Sequence, residues 1–337
     1  MLWEVGRAGE RPTLVFGGKF FLRRLRAIPR QPPYRYLWAA TTPYAMRPLR
    51  RVGDFLSLVK FSHTVFALPF ALLGFFLGVL DRGTFTLGNL LLVIACMVFA
   101  RSAAMGFNRW LDRDVDGRNA RTRVREIPAG TISARAALIF VIVNCLLFVA
   151  AAYWLNPLCF LLSPVALAVI LGYSYTKRFT YLCHFVLGLG LALAPLGAYL
   201  AVTAAWALLP LLYAVVVLLW VSGFDIIYAL QDEAFDREEA LFSIPVKLGT
   251  RRALRLGRVL HFGCAVVLVT ALFLQFGRYP EFGNLTIAAA GIFLGLLTYQ
   301  HTLVAPGDLS RVNLAFFTTN GVASLVFGGL SILDIYV

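Results

Sequence analysis

Charge is scarce in this 337-residue chain, and negative charge most of all. Only 14% of the residues are Asp, Glu, Lys or Arg, and 17 are acidic. Soluble domains average about 25% charged residues. With 60% hydrophobic residues and a mean hydropathy of +0.77, the chain has too few polar side chains to clothe a water-soluble globule. The same composition excludes a disordered chain or a coiled coil. Cysteine is sparse as well. The five (Cys96, Cys145, Cys159, Cys183 and Cys264) stand singly in apolar runs. There is no C-x-x-C pair and no Cys/His metal spacing, which excludes a disulfide scaffold and a thiolate metal site. They read as reduced, apolar thiols. The N-terminus lacks the short apolar core and small-residue cleavage site of a secretory signal. Residues 1–46 are rich in Arg and Pro instead. They read as a flexible basic tail, with Met46 as an alternative start, ahead of a transmembrane domain over 47–337.

Long apolar sequence is what the chain has in abundance. Nine runs are long enough to cross roughly 30 Å of hydrocarbon as helices. They are 61–80, 85–107, 136–155, 157–175, 182–202, 206–230, 258–277, 284–302 and 312–333. The expected fold is all-α: a multi-pass membrane bundle of nine transmembrane helices. The net charge of +14 would suggest nucleic acid in a soluble protein, but its placement points to lipid. With the N-terminus inside, every Lys and Arg except Arg82, Arg101 and Arg278 falls in 1–60, 108–135, 176–181, 231–258 or 303–311. That asymmetry puts these segments in the cytoplasm and the C-terminus outside. It fits a bacterial cytoplasmic membrane, whose inner leaflet is anionic, and no nucleic-acid partner.

The few acids are the more informative charges. Ten of the 17 gather in two places: Asp112, Asp114, Asp116 and Glu126, then Asp225, Asp232, Glu233, Asp236, Glu238 and Glu239. Both clusters follow a span and fall on the same side. If helix continues, Asn108, Asp112 and Asp116 share one face at i, i+4, i+8, and Asp225, Tyr228, Asp232 and Asp236 share another. Asp225 lies about two turns inside an apolar run, where an ionisable group is expensive and by default functional. Stacked carboxylates repel one another, so a cation among them is expected. An all-oxygen donor set suits Mg²⁺, which keeps waters and takes substrate phosphate. Two facing Asp pairs at a membrane surface therefore suggest a metal-bridged diphosphate. Arg109, Arg113, Arg121, Arg123, Lys177 and Arg178 stand near enough in sequence to balance its charge. The plainer alternative is a set of solvated loop acids paired with neighbouring arginines.

The segments NRWLDRDVDGRNARTRVREIPAG (108–130) and DIIYALQDEAFDREEALFSIPVKLG (225–249) resemble the two signature loops of the UbiA superfamily of intramembrane aromatic prenyltransferases. These have the form N-x-x-x-D-x-x-x-D and D-x-x-Y-A-x-x-D-x-x-x-D. A third segment, Tyr173-Ser-Tyr175-Thr-Lys177-Arg178-Phe-Thr180, is similar to the family's Y-x-x-x-K-R-x-T stretch. The resemblance covers about residues 50–335, with the motifs in the family's order. It implies nine transmembrane helices, and metal ligation by Asp112, Asp116, Asp232 and Asp236. Asn108 takes the place of the leading amide. Asp225 and Tyr228 match residues lining the cavity, and Lys177 and Arg178 a basic pair that engages diphosphate or orients the acceptor. The implied reaction is Mg²⁺-dependent transfer of a polyprenyl group from polyprenyl diphosphate to a ring carbon of an aromatic acid, in ubiquinone or menaquinone biosynthesis. One position departs from the pattern. The family's 4-hydroxybenzoate enzymes are expected to carry Pro-Gln near Cys183-His184, which leaves room for a 1,4-dihydroxy-6-naphthoate-like acceptor.

Other features carry less. Tyr173, Tyr175 and Tyr228 offer π faces to an allylic cation, or serve as interfacial aromatics. His63, with Lys60 and Ser62, is a candidate cavity residue, and His261 and His301 read as interfacial. Arg101 and Asn320 lie within spans, lining the cavity or bonding between helices. The stretch around Asp116-Gly117 partly matches a CDP-alcohol phosphotransferase signature. Three of that signature's four carboxylate positions are held by Arg113, Ala134 and Leu138, so its metal site is not built. A cation-coupled transporter would want mid-span acids and inverted repeats, whereas most acids here are interfacial.

Overall fold

The computed structural model describes residues 66–337 together with Gly53, Phe55 and Leu58. The expected basic tail, and the candidates Lys60, Ser62 and His63, lie outside the described residues. Nine long helices follow: α1 Leu68–Arg82, α2 Leu87–Leu111, α3 Ala134–Leu155, α4 Pro157–Thr176, α5 Cys183–Thr203, α6 Leu208–Ala229, α7 Thr250–Arg278, α8 Asn284–Gln300 and α9 Thr319–Asp334. No strand occurs among the described residues. Seven helices among those residues are long and apolar enough to cross a membrane, and α8 is a shorter apolar helix. The nine correspond one to one with the nine apolar runs, and the protein is a multi-pass integral membrane protein.

Local chemistry sets the ends. Ser133 and Asn156 cap α3 and α4, accepting the N–H of Ala136 at 3.2 Å and of Cys159 at 2.9 Å, which satisfies otherwise orphaned donors. Pro157 opens α4, where a missing N–H costs nothing. At the other end of α1, Gly83 closes the helix with φ of 66°, a conformation that favours glycine. Surface and core are apolar alike. Leu146, Trp154, Leu161, Phe262 and Phe273 are 65–78% exposed, as suits a lipid-facing surface. Inside, Phe70, Trp220, Phe293 and Phe327 form a buried aromatic cluster with centroids 5.4–6.1 Å apart. Lipid supplies little drive for helix association, so close backbone approach counts for more. Gly74 of α1 shows it: an added Cβ would sit 2.1 Å from the Pro195 carbonyl oxygen of α5.

Two boundaries differ from the sequence reading. Helix α7 begins at Thr250, eight residues before the apolar run, and carries Arg251, Arg252, Arg255 and Arg258 on its first turns. Hydropathy marks where a helix leaves hydrocarbon, not where its hydrogen bonds stop. The last run is not continuous α-helix either. Leu314–Thr318 is a π turn, and Asn320 donates to the Ala315 and Phe316 carbonyls at 2.9 and 3.0 Å. His261 is buried between helices: it is 3% exposed, 2.8 Å from His301 and 3.1 Å from the Trp220 carbonyl. Asn320 is a helix-to-helix tie, accepting from Trp220 Nε1 at 2.8 Å.

Candidate active site

The three motifs meet at the basic end of the bundle. Helix α2 stops at Leu111, and a six-residue helix, Arg113–Arg118, continues it. Helical bonding survives the joint: Asp112 N–H donates to Asn108 O at 3.0 Å, and Asp116 N–H to Asp112 O at 2.7 Å. The expected i, i+4, i+8 stripe therefore holds, and Asn108 Nδ2 donates to Asp112 Oδ2 at 3.0 Å. Asp114, between them, turns outward beside Arg113. After α6 the chain passes through a 3₁₀ turn, Leu230–Asp232, into a short helix, Glu233–Glu238. Asp225, Tyr228, Asp232 and Asp236 are carried along these consecutive segments.

Asp112, Asp116, Asp232 and Asp236 each meet a cation, and three of these ties join different motifs. Arg121 makes a two-nitrogen contact with Asp232, at 3.1 and 2.6 Å. Arg178 reaches Asp112 Oδ1 at 3.1 Å and the Leu111 carbonyl at 2.9 Å. Lys177 Nζ lies 2.7 Å from Asp236 Oδ1. Asp116 pairs within its own loop, with Arg125 at 2.6 Å, while its Oδ2 is buried with no partner among the described residues. Phe242 N–H donates to the Lys177 carbonyl at 2.7 Å, tying the third motif to the second. Burial pushes the Asp112 carboxyl above its usual range, and Arg178 pulls it back only in part. Burial also works against the Lys177 ammonium, yet the Asp236 carboxylate beside it leaves it above its usual range. A carboxylate held high by burial gains most from an added cation.

Tyr228 stands where the two acidic segments approach. Its hydroxyl is 3.4 Å from Arg121 Nη1, and its ring stacks on Phe316 of the π turn at 4.0 Å and 29°. Asp225 pairs with His184 Nδ1 at 2.6 Å. An apolar cavity of about 330 Å³ lies between α2, α3, α4 and α5, its wall including Met97, Phe148, Leu191, Arg101 and Tyr173. None of the four motif aspartates lines it. Arg101 precedes Asn108 by two turns of α2, and Tyr173 precedes Lys177 by one turn of α4, so both approach the motif end. The Arg101 Nε has no partner among the described residues. Tyr175 instead faces outward, 44% exposed, against Phe107.

The donor set fits a hard divalent cation: oxygen only, two pairs of carboxylates, an adjacent amide, and buried oxygens of Asp116 and Asp236 without a hydrogen-bond partner among the described residues. Among the described residues no three His, Cys, Asp or Glu side chains converge on one ion.

Apolar spanning helices with two aspartate pairs and their cations gathered at one end of the bundle fit a class: membrane-embedded enzymes that handle a diphosphate on an apolar tail. The comparisons specify it. The UbiA prenyltransferase family matches residues 67–322, and the chain belongs to that family. It is 31% identical over 252 residues, 73% of this chain and 84% of the relative, to a protein of Aliivibrio fischeri named 4-hydroxybenzoate octaprenyltransferase. A protein of the same name from Alkalilimnicola ehrlichii is 30% identical over 76% of this chain and 85% of its own length. Among solved structures, a UbiA homologue from Aeropyrum pernix in its apo form superposes with a TM-score of 0.73 at 31% identity, over 81% of this chain and 98% of that one. A homologue from Archaeoglobus fulgidus, solved with GPP and Mg²⁺, shares the fold, with a TM-score of 0.67 at 21% identity over 84% of this chain and all of that one.

Sequence reasoning named Arg101 but left its role open, and left His184 without a partner. The signal for Arg101 was its spacing from Asn108, seven residues within one helix.

Proposed function

We propose that this protein transfers a polyprenyl group from its diphosphate to a ring carbon of an aromatic acid, in quinone biosynthesis. The observation that carries the reading is the convergence of two aspartate pairs with three cations, Arg121 of the first motif and Lys177 and Arg178 of the third, at one end of an apolar bundle. Asp112, Asp116, Asp232 and Asp236 hold Mg²⁺ with the diphosphate, Asn108 orients Asp112, and Lys177, Arg178 and Arg121 bind phosphate oxygens. When bound, the metal stabilises charge developing on the departing diphosphate. The allylic C–O bond breaks and its electron pair leaves with diphosphate. The ring carbon supplies the pair for the new C–C bond, and the ring proton is then lost. Lys177 and the arginines stabilise the leaving group as its charge grows, while the aromatic faces near Tyr228 stabilise the allylic cation and keep water from it.

Arg101, a cation in an apolar wall with an unpartnered N–H, takes the acceptor's carboxylate. Asp225 and Tyr228 line the acceptor's other side, and the isoprene tail lies among apolar helices or in lipid. The membrane is a bacterial cytoplasmic membrane, with the N-terminus and motif loops inside, on the placement of basic residues. The curated relatives support 4-hydroxybenzoate as acceptor. Cys183-His184 in place of Pro-Gln supports a second reading, a 1,4-dihydroxy-6-naphthoate-like acceptor. Membranes given radiolabelled polyprenyl diphosphate with each acceptor in parallel separate the two. The expected result is one Mg²⁺-dependent labelled lipid, lost with EDTA. No product and no diphosphate release with either acceptor would overturn the reading and favour a cation transporter.

A further inference from the structure

Asp225 is the one acid of the two clusters placed well inside a span, and what holds it there lies on another helix. His184, second residue of α5, is 3% exposed. Its Nδ1 lies 2.6 Å from Asp225 Oδ2, and its Nε2 lies 3.3 Å from the backbone N of Ile244. A backbone N–H aimed at Nε2 needs a lone pair there. The ring proton therefore sits on Nδ1 and is donated to Asp225. Both ring nitrogens are engaged, and the ring is buried, so His184 has no group left for a substrate.

Asp225 is the reverse. Its side chain is 20% exposed, only Oδ2 is engaged, and Oδ1 makes no hydrogen bond to the described residues. It shares the stripe of Tyr228 and Asp232, one and two turns further on. The Ile244 backbone belongs to the loop that follows the second motif, so that loop sets the imidazole's tautomer and the imidazole sets the carboxylate. We infer that His184 is a positioning residue: it fixes one oxygen of Asp225 and leaves the other presented to the hydroxyl of the aromatic acceptor. Acceptor use thus depends on a side chain that does not touch the acceptor. This rests on the prenyl-transfer reading.

The arrangement distinguishes Nδ1 from Nε2, and so do amide replacements. Asn at 184 carries a donor near the Nδ1 position, whereas Leu has the bulk and no donor. The test is steady-state kinetics of the full chain in proteoliposomes, varying each substrate separately. Losing a hydrogen bond to a charged group costs about 1.5–3 kcal/mol, so His184→Leu is expected to lower kcat/KM for the acceptor by about ten- to a hundredfold. The KM for polyprenyl diphosphate should stay within about twofold, because the diphosphate contacts lie elsewhere. His184→Asn should recover most of the lost acceptor kcat/KM. Ser222→Ala, which removes only the hydroxyl bonded to the His184 carbonyl at 3.3 Å, should behave as wild type and controls for α5–α6 packing. Should His184→Leu fail to accumulate, His184→Gln, whose amide reaches the Nε2 position instead, replaces it with the same expectation. An unchanged acceptor kcat/KM in the Leu or Gln variant would overturn the inference and leave the prenyl-transfer reading standing. So would equal losses for both substrates that Asn does not recover. Absence of transfer by the wild type would overturn both.

Discussion

Acidic residues sit at both ends of the bundle, under different rules. At the end away from the motifs, Asp81 accepts the Tyr199 hydroxyl at 2.6 Å and Arg278 at 2.7 Å. Asp334 accepts the N–H groups of Gly283 and Thr286 at 2.6 and 2.9 Å, capping α8. Each of these carboxylates stands alone, and its own surroundings satisfy it. At the motif end, two aspartates in each of two loops lie close enough to raise each other's cost. Asp112 feels Asp116, and Asp236 feels Asp232. They are held by cations from two loops, Arg121 and Arg125 of the first motif and Lys177 and Arg178 of the third. A structural acid needs one set of donors. A crowd of acids suits a site that, on the proposed reading, takes up the positive charge of Mg²⁺ when the diphosphate binds. On the proposed reading the second end binds substrate, while the first ties helices together.

The strongest way to break that contrast is to remove one member of each facing pair. Asp112→Ala and Asp232→Ala should each cut transfer by about a hundredfold or more, the scale of losing one preorganised charge contact in a transition state. Size-exclusion profiles should remain those of the wild type. Near-wild-type turnover in either variant would remove the metal-bridge account. Next comes Arg101→Leu. It should raise the acceptor KM by about ten- to a hundredfold, as for a lost charged hydrogen bond, and leave polyprenyl diphosphate binding alone. A change in diphosphate KM instead would put Arg101 on the other substrate. At the opposite end, Asp81→Ala leaves buried Tyr199 without its acceptor. Thermal unfolding in detergent should then show a midpoint lower by about 2–6 °C, with turnover per folded molecule unchanged. A selective loss of turnover would erase the distinction between the ends. The smallest effect belongs to Arg118→Ala. Its contact with Glu239 at 2.6 Å is solvent-exposed, so activity should move by less than about fivefold.

Much of this was legible in the sequence, for identifiable reasons. Apolar runs report spans directly, because hydrocarbon leaves no alternative to helix. The first aspartate stripe was legible because i, i+4 bonding survives the joint at Asp112, although that joint and the 3₁₀ turn at Leu230–Asp232 were not. Backbone bonds carry across Asp112, and no residue type there marks the break. Partners were less legible. That Arg121 would meet Asp232, 111 residues away, or His184 would meet Asp225, depends on how helices pack, and periodicity within one helix carries no such information. The π turn at Leu314–Thr318 was hidden for the same reason: its stabilising donor, Asn320, read as a polar residue in a span. That His261 would be buried against Trp220 of α6 and His301 at the end of α8 was hidden for the same reason.

The central claim is that the facing aspartate pairs hold a diphosphate through a divalent ion. Calorimetric titration of the purified full chain with a polyprenyl diphosphate tests it most directly, in Mg²⁺ and again in EDTA, with Asp232→Ala alongside. The account expects saturable binding in Mg²⁺, weakened by at least about a hundredfold both by EDTA and by the substitution. Equal affinity with and without the metal, in wild type and variant alike, would contradict it.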